Sequence, residues 1–262
     1  RRIIKGPKRD LALTEAVSKG ARAYEASIVL KECPWDKYWK VFDEELAGPC
    51  STVIERSRPS KVRMIRSLKD QDRDDIERLL QIGHHENLVF VEQCFHYQGF
   101  YHIVHEHLLA SLDSLVACSL NLSELQMASI IGQVLEGLCY MEHRGIFMRS
   151  LSCSDVLLGL NGEVKLWGLD RCSPGPPDQG RQHVQLLGIL TMEIMEEDIH
   201  EPNVIRVQNL HRWPSDSDLV HFLSATTSAD SLSELKRQPL LSSNAWNKCY
   251  LAWLVVYSLK SS

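Results

Sequence analysis

The chain has 262 residues, of which 44% are hydrophobic and 24% charged, and its 29 basic and 34 acidic side chains give a formal net charge of −5. These values are ordinary for a globular protein with one large domain or two modest ones. The acidic balance gives no electrostatic support for a nucleic-acid or anionic-membrane partner. The longest uncharged apolar run, at 251–259, is far shorter than the roughly 20 residues that a membrane helix needs.

The basic start of the chain, with Arg1, Arg2 and Lys5, is not followed by an apolar segment, so we expect no signal peptide. The missing initiator methionine indicates a fragment of a longer protein or a processed chain. The eight cysteines are dispersed, and none forms a C-x-x-C pair. This dispersal predicts reduced thiols and a cytoplasmic or nuclear protein rather than a zinc site.

Residues 1–40 are predicted to form a helical extension ahead of the main domain. Within 9–32, apolar side chains recur at helical spacing, although Gly20 interrupts the pattern. The run CPWDKYWK at 33–40 then ends it. Because an apolar stripe has no use on a solvated helix, we expect this helix to pack on the body or to bind a partner.

From residue 41 the pattern changes to short strand-like runs. A charged helix, DQDRDDIERLLQI, lies between the second and the third of them. We therefore predict a small β-rich part with one helix over 41–107. Its strand candidates are STVI at 51–54, KVRMI at 61–65, NLVFVEQCF at 87–95 and FYHIV at 100–104.

Helices are predicted to dominate residues 108–262. The strongest signal covers 123–143, where Ser123 and Gln126 fit a capping box and Gly145 follows the helix. A second apolar helix is predicted over 183–195 after the turn-rich segment SPGPPDQG. A third begins with another apparent capping box, formed by Ser231 and Glu234, and Pro239 should stop it.

This order of elements resembles a eukaryotic protein kinase over about residues 41–241. The resemblance implies an α+β, bilobal fold with an N-lobe and hinge at 41–107 and a shortened helical C-lobe at 108–262. A narrower likeness is to divergent kinase-like domains of filamentous fungi, which have similar "SLSCS" and "FLSATTSA" runs. The segments that carry the resemblance are HHENLV at 84–89, FYHIVHEH at 100–107, RSLSCSDVLL at 149–158 and FLSATTSADSLSELKRQPLL at 222–241.

The catalytic-loop pattern of kinases, H-R-D-L-x-x-x-N, is only partly matched. The His position is Met148, Arg149 is kept, the Asp position is Ser150 and the Asn position is Asp155. A neutral hydroxyl cannot accept a substrate proton as a carboxylate does. Asp155 leaves two readings open: a cap or turn residue, or a ligand for a cation.

The nucleotide-binding positions implied by the resemblance are also altered. The glycine-loop segment at 46–53 keeps Gly48 alone of three glycines, and Pro49 removes a backbone donor. Arg66 replaces the lysine, and its planar fork is no substitute for an ammonium point charge. Gly48, Val53 and Arg66 are therefore weak candidates for nucleotide contact.

The D-F-G position of kinases falls in GEVKLWGL at 162–169, where Trp167 precedes Gly168 and no carboxylate stands at the metal-binding position. We predict that Trp167 fills an apolar cleft and packs among Val53, Met64 and Leu158.

Three histidines on one run raise the possibility of a metal site. His105 and His107 share a strand face by alternation, with His102 nearby. A single strand offers poor geometry for a closed site, so we expect no bound metal.

The peptide-substrate platform of kinases should be missing. The segment at 169–182 is short and contains no A-P-E. His183, which follows it, stands where the resemblance places an aspartate that braces the catalytic loop. The late Arg that would pair with the A-P-E glutamate falls on Ala229. Losing both ends of a buried ion pair can be nearly neutral, whereas losing one costs about 3–5 kcal/mol. We predict a short connector leading into a buried helix.

Taken together, the resemblance and its broken positions predict a pseudokinase. Such a protein would not be an enzyme, would hold no cofactor and would act through a protein partner, with neither nucleic acid nor membrane involved. Two alternatives stay open, because function depends on the site rather than on the fold. One is a weak, atypical ATP-dependent kinase that recruits Asp155 or Asp170 for metal. The other is a degenerate structural domain of a larger protein.

Overall fold

The computed structural model describes residues 29–46, 48–118, 120–175, 180–196, 209, 211–243 and 246–261. The fold is α+β, with a sheet-rich part followed by a helix-rich part, and is compatible with a bilobal arrangement. Most of the predicted helical extension, residues 1–28, lies outside the described residues. Residues 29–30 and 38–45 form strands of the main sheet, so this sheet includes residues that the predicted boundary at 40 assigned to the extension.

The sheet-rich part is a six-stranded sheet with the strand order β1-β5-β6-β4-β3-β2. Its neighbouring strands are antiparallel except for β1 and β5. The predicted strands at 51–54, 61–65 and 100–104 are confirmed with longer bounds, whereas residues 87–90 precede their strand. The elements are β1 (Val29–Leu30), α1 (Pro34–Lys37), β2 (Tyr38–Glu45), β3 (Pro49–Glu55), β4 (Arg58–Lys69), α2 (Arg73–Gln81), β5 (Val91–Tyr97) and β6 (Phe100–Glu106).

The two faces of this sheet bury different clusters, because alternate residues of a strand point to opposite sides. One face packs Tyr38, Val53, Ile65, Phe95 and Val104 together. The other face, which includes Cys50 and Met64, meets the helix-rich part. The face on which a strand residue lies therefore decides whether it can contribute to the junction between the two parts.

The helix-rich part is built around a long central helix, α4, which is buried on most sides. The predicted capping box is confirmed: the Ser123 side chain accepts from the Gln126 amide, and the Gln126 side chain accepts from the Ser123 amide. The elements are β7 (Ala110–Ser111), α3 (Leu112–Ala117), α4 (Glu124–His143), β8 (Ile146–Phe147), β9 (Val156–Leu158), β10 (Val164–Leu166), β11 (Ser173–Pro174), α5 (Gly180–Met195), α6 (Asp218–Thr226), α7 (Leu232–Leu235), α8 (Pro239–Ser242) and α9 (Ala252–Ser261). Of the helices in the described ranges, none combines the length and the apolar character needed to cross a bilayer.

The second predicted capping box is wrong. Ser231 is the N-cap of the four-residue helix α7, but its side chain makes no capping hydrogen bond. Glu234 accepts instead from the Asp230 amide, at 3.2 Å. Pro239 begins α8 rather than stopping a long helix, because proline is tolerated in the first turn, where its missing amide hydrogen is not needed.

A buried polar network joins the sheet-rich part to the helix-rich part. Asn87 donates to the Val164 carbonyl at 3.0 Å, and its own carbonyl accepts from the Leu166 amide at 2.9 Å. Gln133 of α4 accepts from the Val164 amide and donates to the Gly162 carbonyl. Because these backbone groups are buried, each would be costly to leave unpaired. The network fixes β10 between α4 and the segment that enters β5.

The turn between β9 and β10 approaches another backbone segment at Gly162. Gly162 has φ of +79°, and a Cβ built there would lie 1.9 Å from the carbonyl oxygen of Lys248. Gly99, in the β5–β6 turn, has a similar φ of +76°, but no heavy atom lies within 4 Å of its hypothetical Cβ. The two glycines thus share a left-handed backbone and differ in their surroundings.

We expect Gly162→Ala to destabilise the fold much more than Gly99→Ala. Both variants should incur the left-handed cost of about 1 kcal/mol, and Gly162→Ala should lose about 2 kcal/mol more by overpacking. Urea unfolding of the two variants beside the wild type measures the difference. Equal losses of stability would contradict the close approach of the two backbones.

Candidate functional site

The segment that resembles a catalytic loop, Met148–Asp155, follows α4 and the strand β8. Gly145, with φ of +67°, turns the chain out of the helix. Strand β8 pairs with β11 through Ile146–Pro174 and Phe147–Ser173, which holds the start of the loop in place. Met148 is buried, whereas Arg149 and Ser150 are exposed. Of the resembling positions, only these last two face solvent at the loop's apex.

His183 fixes this loop from the first turns of α5. Its ring is fully buried, and Nε2 accepts a hydrogen bond from the Met148 amide at 3.0 Å. Because a backbone amide can only donate, Nε2 must be the unprotonated nitrogen, and Nδ1 then donates to Glu142 at 3.0 Å. A histidine therefore supplies the acceptor that the resemblance assigns to an aspartate. The sequence indicates the loss of the bracing aspartate at this position, but the hydrogen bond to the loop is present.

Asp155 is a capping residue in this structure. Its Oδ2 accepts from the amide and the hydroxyl of Ser152, at 3.1 and 3.0 Å, and its Oδ1 pairs with Arg171. Its backbone carbonyl accepts from the Trp167 amide at 2.8 Å. The carboxylate is buried, and protein donors occupy both of its oxygens. This geometry favours the cap reading over the cation-ligand reading.

Arg66 pairs with Asp170 instead of with a helix carboxylate. Its Nη1 lies 3.3 Å from the Asp170 Oδ1, and each side chain is 13% exposed. In α2, the neighbouring carboxylates have other partners: Asp75 pairs with Arg78, and Glu77 with Arg73. Ile76, at the position aligned with the helix partner, is buried. Arg66 is thus held by a residue that follows Gly168 in sequence, and not by α2.

The Arg66 guanidinium also covers the indole of Trp167, at 5.4 Å from the ring centroid. Its Nη2 approaches the glycine-loop segment, where a Cβ on Gly48 would lie 3.7 Å away. Gly48 itself has φ of +113°, which disfavours a side chain. Of the nucleotide-contact candidates, Gly48 and Arg66 are therefore neighbours.

Trp167 fills the space between the sheet and the β9–β10 region. It is 2% exposed and belongs to one apolar cluster with Leu46, Cys50, Met64, Val89, Leu108 and Leu157. The predicted contact with Met64 is in line with this cluster. The indole is thus enclosed by apolar side chains from both the sheet-rich and the helix-rich part.

The predicted packing of Trp167 against Val53 and Leu158 is wrong, and both errors have one cause. In the β3–β4 ladder, Thr52 pairs with Met64 and Val53 with Arg63, so Val53 lies on the opposite face from Met64. Val53 is buried with Ile65 in the other cluster. In β9, Leu157 rather than Leu158 points to Trp167. A shift of one residue moves a strand side chain to the other face.

A residual cavity of about 10 Å³ remains beside the indole, lined by Arg66, His105, Trp167, Asp170 and neighbouring apolar residues. This volume holds about one water molecule. His105 stacks its edge on the indole at 4.7 Å, and its Nδ1 lies 3.2 Å from the Phe90 carbonyl. Burial in this dry surrounding lowers the pKa of His105 to about 3, so the ring is neutral at physiological pH.

The three histidines of the β6 run do not converge. His102 lies on the face opposite His105 and contacts the Ser67 hydroxyl at 2.8 Å. In the ranges that the structure describes, no three His, Cys, Asp or Glu side chains lie close enough to hold a metal ion.

The connector after Gly168 is short in its described part. A single turn at Leu169–Arg171 leads to β11. Residues 176–179 lie outside the described residues. The predicted buried helix is confirmed as α5, although it begins at Gly180, three residues earlier than 183. Ala229, at the aligned arginine position, is buried in the apolar core.

Sequence reasoning missed two contacts at this site. The pair between Arg171 and Asp155 spans 16 residues, and no local pattern connects them. The pair between Arg66 and Asp170 spans over 100 residues. The sequence feature that could have indicated the second pair is Asp170, two positions after Gly168. From the sequence, we interpret it as a metal ligand rather than as the partner of Arg66.

Comparison with known proteins gives partial matches to serine/threonine kinases. No protein-family model matches the chain. It is 32% identical over 95 residues to the serine/threonine-protein kinase shk1/pak1 of Schizosaccharomyces pombe, which covers 36% of this chain and 14% of that protein. It is 30% identical over 96 residues to the serine/threonine-protein kinase SMU1 of Mycosarcoma maydis, covering 36% of this chain and 13% of that protein.

A third match, to the serine/threonine-protein kinase dst4 of Dictyostelium discoideum, is 38% identical over 55 residues, with 21% of this chain and 11% of that protein covered. The chain thus matches only a small share of the length of these relatives. The matches indicate a kinase-like region within the chain.

We expect strong coupling between Arg66 and Asp170. Arg66→Met and Asp170→Asn should each cost about 2 kcal/mol, because each leaves a largely buried charge unpaired. The double variant should cost little more than one single variant, so a double-mutant cycle should give a coupling energy above about 1 kcal/mol.

The exposed pair Arg73 and Glu77 on α2 is the matched control for this cycle. Its coupling energy should stay below about 0.5 kcal/mol, as for other exposed helix pairs. Additive effects of Arg66→Met and Asp170→Asn would show that the two side chains do not form the pair described.

The neutral ring of His105 should make the protein sensitive to acid. The pKa of His105 in the folded protein is below its value in the unfolded chain. The contribution of the neutral ring to the free energy of unfolding is therefore fully present above about pH 6.5 and is lost as pH falls toward 3. His105→Gln removes the titrating ring. Between pH 7 and 4.5, the wild type should lose about 2 kcal/mol more than the variant.

Urea unfolding at the two pH values measures this difference. His143→Gln, a substitution of an exposed histidine, should retain the pH dependence of the wild type. Identical pH dependence of the His105→Gln variant and the wild type would contradict a neutral buried ring.

Proposed function

We propose that this chain is a pseudokinase: a kinase-like domain that does not transfer phosphate and acts by binding other proteins. The observation that supports the proposal is the position of Trp167, whose indole packs with residues of the segments that the kinase resemblance assigns to nucleotide binding, among them Cys50 and Met64. Phosphoryl transfer depends on a glycine loop, a Lys–Glu pair, metal-binding carboxylates and a catalytic Asp. Arg66 and Asp155, at two of these positions, have other partners in this chain.

The charged residues near the indole support the same reading. Arg66 and Asp170 neutralise each other, and Arg171 and Ser152 occupy the carboxylate of Asp155. A metal ion at either aspartate would have to displace these partners. Ser150, at the catalytic Asp position, is exposed, and its neutral hydroxyl cannot accept a substrate proton as a carboxylate does. This arrangement favours a structural role for the loop over the atypical-kinase alternative.

A binding role is supported by the surface. Apolar side chains are exposed on strand β2 and on helix α9, among them Trp39, Phe42, Trp253 and Tyr257. Exposed apolar groups that cluster on one element are typical of contact surfaces between proteins.

We expect no thermal shift with millimolar ATP, either alone or with Mg²⁺ or Mn²⁺. A ligand at a hundred times its dissociation constant would add about 2.7 kcal/mol to the stability, which such a measurement detects readily. A metal-dependent shift would favour the atypical kinase. Phosphorylation of a generic protein substrate above the level of a Ser150→Ala control would likewise overturn the proposal.

Two tryptophan variants test whether the indole fills the junction. Trp167→Ala should lose about 3 kcal/mol, as expected for emptying a buried aromatic site. Trp253→Ala, at an exposed ring, should stay within about 0.5 kcal/mol of the wild type. Similar stabilities of the two variants would show that Trp167 is not packed as described.

A further inference from the structure

Strand β2 is an outer edge of the six-stranded sheet. Its inner side pairs with β3 from Tyr38–Glu55 to Glu45–Pro49. Within the described residues, no strand pairs with its outer side. An edge strand of eight residues presents backbone donors and acceptors that can receive a further strand.

The side chains of β2 are unusually apolar for an exposed edge. Trp39, Val41 and Phe42 are 47%, 53% and 51% exposed. The bulge between Lys40 and Phe42 brings Trp39 and Phe42 onto the same face, because Trp39 pairs with Ile54 and Phe42 with Thr52. Without this extra residue, the two rings would lie on opposite faces. The bulge therefore builds one aromatic surface along the edge.

The same strand ends in a concentrated negative charge. Asp43, Glu44 and Glu45 follow directly after Phe42, whereas Lys40 is the only basic residue of the strand. An open depression of about 420 Å³ adjoins these carboxylates and is also lined by Ser51 and Ser67. Lys40 pairs with Asp43 and Ser51 donates a hydrogen bond to it, whereas Glu45 is exposed and has no ion pair within the described residues.

We propose that the β2 edge binds an extended protein segment that carries apolar and basic residues in succession. The segment would add a seventh strand to the sheet, with its apolar side chains on Trp39 and Phe42. Its Arg or Lys side chains would lie beside Glu45, whose carboxylate is on the face of the sheet opposite Phe42. Strand geometry separates Phe42 from Glu45 by about 10 Å, so about three residues separate the two kinds of side chain in the bound segment.

This inference deepens the proposed function by naming a partner class, and it rests on that function only for the view that the chain acts by binding proteins. The chain's own start, RRIIKGPK at 1–8, contains both kinds of residue, and its Arg1 and Ile4 are three residues apart. It is therefore a suitable probe, and its binding to the edge within the same chain is an outcome that the test distinguishes.

The test is a fluorescence-anisotropy titration of the full chain into a labelled RRIIKGPK peptide at low salt. We expect saturable binding that weakens as salt screens the charges. The same peptide with every Arg and Lys replaced by Glu should not bind.

Two pairs of chain variants locate the binding surface. Glu45→Lys should weaken binding by about fivefold or more, whereas Asp216→Lys, the same change at a distant exposed aspartate, should not alter it. Phe42→Ser should weaken binding in the same way, and Trp253→Ser, at an exposed ring of α9, should not. Equal weakening by Glu45→Lys and Asp216→Lys would reject the edge as the site.

If the wild-type chain does not bind the peptide, two explanations remain, and a further variant distinguishes them. If Arg1→Glu/Arg2→Glu/Lys5→Glu in the full chain restores binding, the chain's own start occupies the edge, and the proposal stands. If this variant also fails to bind, the proposal is wrong. An ATP titration of the same samples reports on the pseudokinase assignment independently, because peptide binding does not require an empty or a filled nucleotide position.

Discussion

The burial of the Trp167 indole between the sheet and β9 is the constraint on which the rest of the site depends. An aromatic ring of this size buries a large apolar area, and its π-system also interacts with neighbouring rings and cations. His105 packs against the ring in a T-shaped arrangement, and the guanidinium of Arg66 covers its face. Because Arg66 is drawn over the indole, its charge needs a nearby carboxylate, and Asp170 provides one. The altered positions thus form one self-consistent arrangement.

The loop that resembles a catalytic loop contributes its backbone to the core. His183 accepts from the Met148 amide, and Asp155 caps the turn at Ser152 while its carbonyl accepts from the Trp167 amide. These contacts satisfy buried backbone groups, whose loss would destabilise the fold. Arg149 and Ser150, at the exposed apex of the loop, take no part in these contacts. Substitutions at these two residues can therefore leave the backbone of the loop in place.

Local patterns in the sequence were sufficient to predict elements whose contacts are themselves local. Ser123 and Gln126 lie three residues apart and form their capping box as predicted. The apolar helix after the turn-rich segment is also present as α5. Ser231 and Glu234 have the same spacing, but the helix that follows is a single turn and the side chain of Ser231 does not cap it. Spacing alone does not reveal how long the helix will be.

Contacts between distant segments were less predictable. Whether Val53 or Thr52 lies on the face of Trp167 depends on the register of β3 against β4, in which Thr52 pairs with Met64 and Val53 with Arg63. The choice of Asp170 as the partner of Arg66 depends on where the turn after Gly168 packs against α2, and no sequence period encodes that. His183 accepts from the Met148 amide. Predicting this role would require knowing which backbone amide lies opposite its ring.

The central claim is that the indole of Trp167 occupies the position that a nucleotide would need. A crystal structure of the chain grown with millimolar Mg-ATP tests it most directly. The account predicts an indole packed with Met64, Leu108 and Leu157, and no nucleotide density at that position. A displaced indole, with an adenine ring in contact with those three side chains, would contradict it.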